Sequence, residues 1–161
     1  MAFHTGHSYC QHAICIGTPD AEHIRTVPKA HDVEESVSFY LHAAATRVDI
    51  YYLCIYQHAL PVGQILLHDI DVRSGESLVG YHLFRIADRG RGIGTTALAL
   101  LQAYVQNIPL TRLIIITSRD NTASQRIATK CGFHVVGPAR EDPEHLIVFA
   151  WDVPHSTPEN V

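Results

Sequence analysis

The sequence contains no apolar run that approaches the roughly 18 residues needed by a membrane-spanning helix. Residues 1–11 also lack the basic start and apolar centre of a signal peptide. These two absences predict a cytoplasmic protein with no membrane partner.

An excess of positive charge is missing as well. Twelve Lys and Arg residues stand against sixteen Asp and Glu residues, which gives a formal net charge of −4. A chain with this balance has no general attraction for nucleic acid or anionic lipid. Nucleic acid is therefore not an expected partner, and any anion site must be local.

Metal-ligand spacings are also absent. There is no Cys-x-x-Cys pair, and the histidines near the start, including His4, His7 and His12, lack the His-Glu-x-x-His pattern. No metal site is expected. In a reducing cytosol we expect free, mostly buried thiols at all four cysteines. These are Cys10, Cys15, Cys54 and Cys131.

Length and composition favour one domain. The 161 residues are 47% apolar, which is enough for a single core. We expect one domain over residues 1–161, with flexible ends at residues 1–11 and 154–161.

The first half of the chain is predicted to place two helices before a hairpin. A short helix is expected over residues 19–25, and a longer one is opened by Asp32, with Glu35 completing a capping box. Residues 48–57 and 62–67 are rich in β-branched and aromatic side chains, which predicts an antiparallel hairpin.

The second half is predicted to contain a parallel crossover. A strand near residues 77–84, an amphipathic helix from Ile93 and an apolar strand at residues 113–116 form a βαβ unit. Asp120 or Asn121 caps a further helix that Gly132 ends, and two final strands follow. The expected fold class is a mixed α/β sheet, mostly antiparallel with a central parallel crossover.

Three alternating glycines mark the start of the crossover helix. Gly90, Gly92 and Gly94 cost conformational entropy, which indicates that a ligand approaches the backbone closely. N–H groups at a helix N-terminus favour an anion, and Arg89 and Arg91 suit phosphate. The alternative is an ordinary loop with solvated arginines.

Two other phosphate motifs fit this turn poorly. A Walker A loop needs lysine after its last glycine, but Thr95 and Thr96 follow Gly94. A Rossmann-type fingerprint matches Gly92, Gly94 and Ala97, yet an antiparallel hairpin precedes the unit and polar residues separate the strand from the glycines.

Two segments resemble a known family. The pattern Arg89-x-x-Gly92-x-Gly94 resembles the Arg/Gln-x-x-Gly-x-Gly/Ala signature of the GNAT superfamily of acyl-CoA-dependent N-acetyltransferases. Residues 121–133 are similar to the Asn-x-x-Ser…Lys-x-Gly-Phe segment of its ribosomal-protein N-terminal acetyltransferase branch. The likeness covers residues 48–150, including the Gly80-Tyr81 pair.

The resemblance implies a GNAT-like fold and a reaction. Acetyl-CoA would donate its acetyl group to a primary amine, either a protein N-terminus or a small molecule, and coenzyme A would be released. The sequence allows a homodimer but contains no motif for one.

The resemblance also implies a set of cofactor-binding residues. Backbone groups around His82 and Phe84 would pair with pantetheine, and Asn121 would reach the pantetheine arm unless it serves only as a helix cap. The pyrophosphate would lie on Arg89, Gly90, Arg91, Gly92, Ile93, Gly94 and Thr95.

The expected catalytic groups depart from the family pattern. Many members place a tyrosine acid where this chain has Ala128, so Ser124 is the candidate acid for the thiolate and a candidate cofactor contact. The branch often has a glutamate base where this chain has Leu78, so Glu76 and His82 are candidate bases. His82 could equally form a wall of the acceptor site or part of the core, and Glu76 could be a solvated turn residue.

Two further points stay open from the sequence. The side chains of His68, Asp69 and Asp71 are expected near the entrance of the site, without an assigned role. Because the usual acid and base are missing, a non-catalytic CoA-binding sensor or interaction module is the alternative function.

Overall fold

The computed structural model describes residues 9–155, which form an eight-stranded sheet and four α-helices. In chain order the elements are β1 (Tyr9–Gln11), β2 (Ile14–Gly17), α1 (Ala21–Thr26), α2 (His31–Thr46), β3 (Tyr51–Gln57), β4 (Leu60–Asp71), β5 (Glu76–Leu83), a 3-10 turn (Ile86–Asp88), α3 (Ile93–Val105), β6 (Arg112–Ser118), α4 (Thr122–Lys130), β7 (His134–Pro138) and β8 (Leu146–Asp152). Residues 1–8 and 156–161, within the ends expected to be flexible, lie outside the described residues.

The strand order is β1-β2-β3-β4-β5-β6-β8-β7. Within the described chain every neighbouring pair is antiparallel except β5 with β6, so the predicted mixed sheet with one parallel crossover is confirmed. The parallel pair is short. Its register joins Glu76 to Arg112, Ser77 to Leu113 and Leu78 to Ile114. Beyond Leu78 and Ile114, no residue of β5 pairs with a residue of β6.

Two layers of helix cover the sheet. Helix α3 packs into the larger core through fully buried residues such as Leu98 and Leu101, and α4 adds Ala128. On the other face α1 and α2 cover a second cluster that includes Ile24, Val33 and Phe84. None of the helices within residues 9–155 is long and apolar enough to cross a membrane.

The start of α2 differs from the prediction. The helix begins at His31 after Ala30, and no side chain caps it, so the expected capping box is wrong. Asp32 lies in the first turn, where its carboxylate accepts hydrogen bonds from the Arg89 guanidinium. A residue that looked like a local helix signal therefore makes a tertiary contact.

A disulfide joins Cys10 to Cys15. The two residues face each other in the β1–β2 register, which brings their side chains together. The expectation of free thiols is wrong for this pair, because the sequence reasoning treated Tyr9–Gln11 as part of a flexible end and missed both strands. Cys54 is free and buried, and Cys131 is free and half-buried.

Candidate active site

A cleft of about 710 Å³ opens where β5 and β6 separate. Residues 79–83 of β5 and 115–117 of β6 form its walls, together with the first turns of α3 and α4. Helix α2 closes one end with Asp32, Val33 and Tyr40. The cleft therefore lies beside the only parallel pair that the described part of the sheet contains.

The glycine turn supplies free backbone donors to this cleft. Gly92 precedes α3 in a left-handed conformation with φ of +81°, and no side chain caps the helix. The N–H groups of Ile93, Gly94 and Thr95 have no hydrogen-bond acceptor among residues 9–155, and all three residues line the cleft. Unpaired N–H groups at a helix N-terminus form a site suited to an anion.

The glycines are needed for two different reasons. A side chain at Gly90 or Gly92 would meet nothing within 4 Å, so their positive φ angles of +73° and +81° are what favour glycine. At Gly94 an added Cβ would lie 2.9 Å from Ile127 Cδ1. Gly94 therefore allows α3 and α4 to pack closely.

The two predicted arginines are both engaged with carboxylates. Arg89 lines the cleft, and its Nη2 lies 3.2 Å from each carboxylate oxygen of Asp32. Arg91 is exposed, does not line the cleft and lies 3.9 Å from the buried Asp88 carboxylate. The structure thus brings Arg89, but not Arg91, to the candidate phosphate site.

Ser124 is one half of a hydroxyl pair. The Tyr81 hydroxyl donates to the Ser124 carbonyl at 3.0 Å, and the two hydroxyl oxygens lie 2.9 Å apart. Burial raises the pKa of Tyr81, partly offset by its hydrogen bond to Ser124, so the phenol stays protonated at neutral pH. Asn121 accepts from the Ser124 N–H at 3.0 Å and lines the cleft, which confirms it as a helix cap.

His82 also lines the cleft, but one ring nitrogen is occupied. The Gln64 amide donates to His82 Nδ1 at 3.0 Å. A neutral ring with an accepting Nδ1 carries its proton on Nε2. Burial lowers the pKa of His82 more than the nearby Asp32 carboxylate raises it, which favours this neutral form.

The structure does not bring Glu76 or Phe84 to the cleft. Glu76 is the first residue of β5, paired with Asp71 and Arg112 at the end of the strand opposite Leu83. Phe84 is fully buried under α1 and α2. Its N–H donates to the Val62 carbonyl and its carbonyl accepts from the Ala30 N–H, so its backbone has other partners.

Several cleft residues were not assigned from the sequence. Arg126 and Lys130, one turn apart on α4, add positive charge at the side of the cleft. The sequence did contain a signal for this pair, because Arg126 and Lys130 lie on one face of a helix within the segment that resembles the family. Tyr40 and His68 line the end formed by α2 and β4. Of the residues expected near the entrance without a role, His68 lines the cleft and Asp69 and Asp71 do not.

Comparison with known proteins adds a family and a set of similar folds. A family model described as an acetyltransferase (GNAT) domain matches residues 11–134. No curated protein sequence matches the chain significantly.

Solved structures match over almost the whole chain. One is the RimL ribosomal L7/L12 alpha-N-protein acetyltransferase in complex with coenzyme A, at 15% identity and a TM-score of 0.74, covering 91% of this chain and 98% of that one. The ribosomal-protein-S5-alanine acetyltransferase from Vibrio fischeri matches at 15% identity and a TM-score of 0.70, covering 94% of this chain and 100% of that one. The microcin C7 self-immunity acetyltransferase MccE, in complex with acetyl-CoA and AMP, matches at 18% identity and a TM-score of 0.68. The match covers 89% of this chain and 94% of that one.

At these identities the solved structures establish the fold. The matched family model covers most of the chain and includes the glycine turn and the cleft walls. The chain belongs to the GNAT family of acetyltransferases.

Proposed function

We propose that this protein transfers the acetyl group of acetyl-CoA to a primary amine, either a protein N-terminus or a small molecule. The observation that carries the proposal is the cleft between β5 and β6, which ends on the uncapped first turn of α3. A long ligand with an anionic group fits this shape, because the open strand edge lies beside a cluster of free N–H donors.

The cofactor-binding residues are assigned from this geometry. We assign the pyrophosphate to Gly92, Ile93, Gly94 and Thr95, with Arg89 and Gly90 at its edge, and the pantetheine arm to the open edge of β5 and to Asn121. Arg126 and Lys130 supply further positive charge for the phosphates. The coenzyme A and acetyl-CoA named in the complexes of RimL and MccE support this assignment.

When bound, acetyl-CoA supplies an acetyl thioester that an amine can attack. The chain must then provide a proton for the departing sulfur. Ser124 is the proposed donor, because it lines the cleft and its hydroxyl contacts a buried, protonated phenol. Tyr81 would resupply that proton once its O–H turns from the Ser124 carbonyl to the Ser124 hydroxyl, whose oxygen lies 2.9 Å away.

A protein N-terminus is the favoured acceptor. The similar structures include acetyltransferases named for ribosomal proteins, and an α-amino group is about a tenth neutral at pH 7. A lysine side chain is far less often neutral and needs a stronger base.

The test is release of coenzyme A thiol that depends on an added amine. Purified protein with acetyl-CoA should release thiol in the presence of peptides with free N-terminal serine or alanine, and mass spectrometry should find the acetylated product. If calorimetry detects coenzyme A binding while a broad panel of peptides and small amines gives no thiol, the protein is a binding module and not an enzyme.

The assigned pyrophosphate site has its own test. Gly92→Val should weaken coenzyme A binding at least about tenfold, because valine is strained at a φ of +81° and shifts the N–H donors. Gly137→Val is the matched control, since that glycine also has a positive φ and open surroundings but lies on β7. Equal calorimetric affinity in both folded variants would contradict the assignment.

A further inference from the structure

We propose that His68, oriented by Asp69, is the base that accepts a proton from the acceptor amine. The proposal rests on the acetyltransferase function proposed above and assigns the base for that reaction. It is carried by an irregularity in β4, by the orientation of one imidazole ring, and by the position of that ring at the cleft.

The irregularity lies directly after His68. Neighbouring residues of a regular strand point to opposite faces of a sheet. Between His68 and Asp71 the pairing of β4 with β5 shifts register, and Asp69 has a left-handed φ of +49°. This is uncommon for a residue other than glycine, and such bulges and strained residues concentrate near active sites.

The bulge places a carboxylate beside the preceding ring. Asp69 Oδ2 lies 2.7 Å from His68 Nδ1. A carboxylate only accepts, so Nδ1 carries the proton and the neutral ring keeps a lone pair on Nε2. The carboxylate also stabilises the positive charge that forms when Nε2 takes a proton.

The free nitrogen of His68 lies at the cleft. His68 Nε2 is 3.7 Å from the position that a Cβ on Gly80 would take, and both residues line the cleft. Within residues 9–155 this nitrogen has no hydrogen-bond partner, since the bond of the ring to Asp69 uses Nδ1. The side chain is 19% exposed, so a substrate can reach it while most of the ring stays held.

His82 makes a useful contrast in the same cleft. Its Nδ1 accepts from Gln64, so its proton is on Nε2 and it offers no lone pair there. The two imidazoles therefore present opposite protonation at Nε2. His68 is the one prepared to accept a proton.

The titratable and charged groups around His68 come from three elements and from the segment between α2 and β3. Tyr40 of α2 packs against its ring at 5.6 Å between centroids, and Asp69 follows it on β4. His82 of β5 and Asp49, just before β3, interact with it electrostatically. Arg47 forms an ion pair with Asp49 and also interacts with Asp69 and Tyr40. Burial lowers the pKa of His82, which favours its neutral form. Asp69 is the carboxylate in direct contact with the His68 ring.

In the proposed reaction two protons leave the acceptor nitrogen and one proton reaches the departing sulfur. The ammonium form of the acceptor loses one proton to His68 Nε2, which later passes it to solvent. The amine nitrogen then bonds to the acetyl carbon, and the C–S bond breaks with its electron pair on sulfur. The second proton of the nitrogen passes to solvent as the amide forms. Ser124 protonates the thiolate while Tyr81 returns a proton to Ser124, and Tyr81 regains its proton from solvent.

The first experiment needs no turnover. In the free protein labelled with 15N histidine, nuclear magnetic resonance above about pH 8, where imidazoles are neutral, should assign the His68 proton to Nδ1. Asp69→Asn should change that spectrum. A proton on Nε2 of His68 in the unaltered protein would overturn the proposal.

The second experiment measures kcat with a peptide that has a free N-terminal serine. His68→Gln should lower kcat at about pH 7 by roughly 100-fold, and the deficit should shrink at about pH 9, where the amine is neutral without help. Asp69→Asn should give a smaller loss with the same pH dependence. His42→Gln, an exposed histidine on α2, is the matched control and should behave as the unaltered protein.

The possible results distinguish a failure of the role proposed for His68 from a failure of the proposed acetyltransferase function. Coenzyme A binding should be unchanged in every variant, which also shows that each one folds. An active parent with an equally active His68→Gln at all pH values overturns the role of His68 but not the acetyltransferase. If His68→Gln only raises KM, by the same factor at every pH, His68 binds the acceptor and its role as the base is overturned. A parent that acetylates no amine overturns both proposals.

Discussion

The contact between Tyr81 and Ser124 changes how the acid of this site is interpreted. Ala128 occupies the helix position where many members of the family have a tyrosine. It is fully buried, and its side chain has no proton to donate. A phenol nevertheless reaches the cleft from β5 and lies 2.9 Å from the Ser124 hydroxyl. The proposed acid is thus a pair of hydroxyl groups from a strand and a helix.

This pair gives a prediction for single hydroxyl groups. Tyr81→Phe keeps the ring but removes the proton source behind Ser124, so kcat should fall about tenfold or more while coenzyme A affinity changes little. Ser124→Ala should lower kcat at least as much. Steady-state kinetics with a serine peptide measures both.

The control for that experiment removes a hydroxyl elsewhere. Tyr56→Phe deletes a phenol that donates to the Thr18 carbonyl and does not line the cleft. Its kcat should match that of the parent. Full activity in both Tyr81→Phe and Ser124→Ala would exclude the pair as the acid.

Spacing along the chain predicted part of this site. Gly92, Asn121 and Ser124 lie within two short motifs, and the structure brings all three to the cleft. The environment of His68 could not be predicted, because it depends on one left-handed residue that rotates Asp69 out of the strand alternation. The backbone partners of Phe84 could not be predicted either, because the hydrogen bonds of its N–H and carbonyl carry no sequence signature.

At the scale of elements, long patterned segments were predictable and short ones were not. The helices α3 and α4 and the β3–β4 hairpin follow clear apolar periodicity, and the structure confirms them within a few residues. Strands β1 and β2 have three and four residues, too few for alternation to show. Their pairing is what brings Cys10 and Cys15 together.

The disulfide gives a prediction at this scale. Replacing Cys10 and Cys15 by serine should lower the free energy of unfolding by up to about 2 kcal/mol, because the bond closes a short loop. Coenzyme A affinity should not change, since three strands separate β1 from β5 in the sheet. Urea unfolding with and without reductant measures the effect.

The double serine variant is also the control for the reductant. Reduction should destabilise the parent and leave the variant unchanged. If the oxidised parent, the reduced parent and the variant unfold at the same urea concentration, the disulfide contributes nothing to stability.

Across the whole molecule the sheet has a weak centre. Five strands lie on one side of the β5–β6 boundary and three on the other. Only three residue pairs connect β5 to β6 within the described sheet. The sequence predicted the order of the elements and the crossover, because each element is set by local pattern. The cleft could not be predicted in the same way, since it depends on where two strands stop pairing.

Ligand binding should therefore stabilise the whole fold. At a coenzyme A concentration of about 100 times Kd, binding adds about 2.7 kcal/mol, which should raise Tm by about 5–10 °C in a domain of this size. Differential scanning fluorimetry measures the shift. Pantetheine, which lacks the pyrophosphate, should give a smaller one at equal concentration, and an equal shift would contradict the anion site at α3.

The early end of the β5–β6 pairing has one more consequence. In the described chain, residues 79–83 of β5 pair with β4 on one side and with no strand on the other, so an open β-edge is enclosed in the molecule. Proteins usually shield such edges because another strand can add to them. Here the enclosed edge is a template for extended, amide-containing molecules. A short β-strand mimetic that ends in an anionic group is thus a rational starting point for a selective inhibitor.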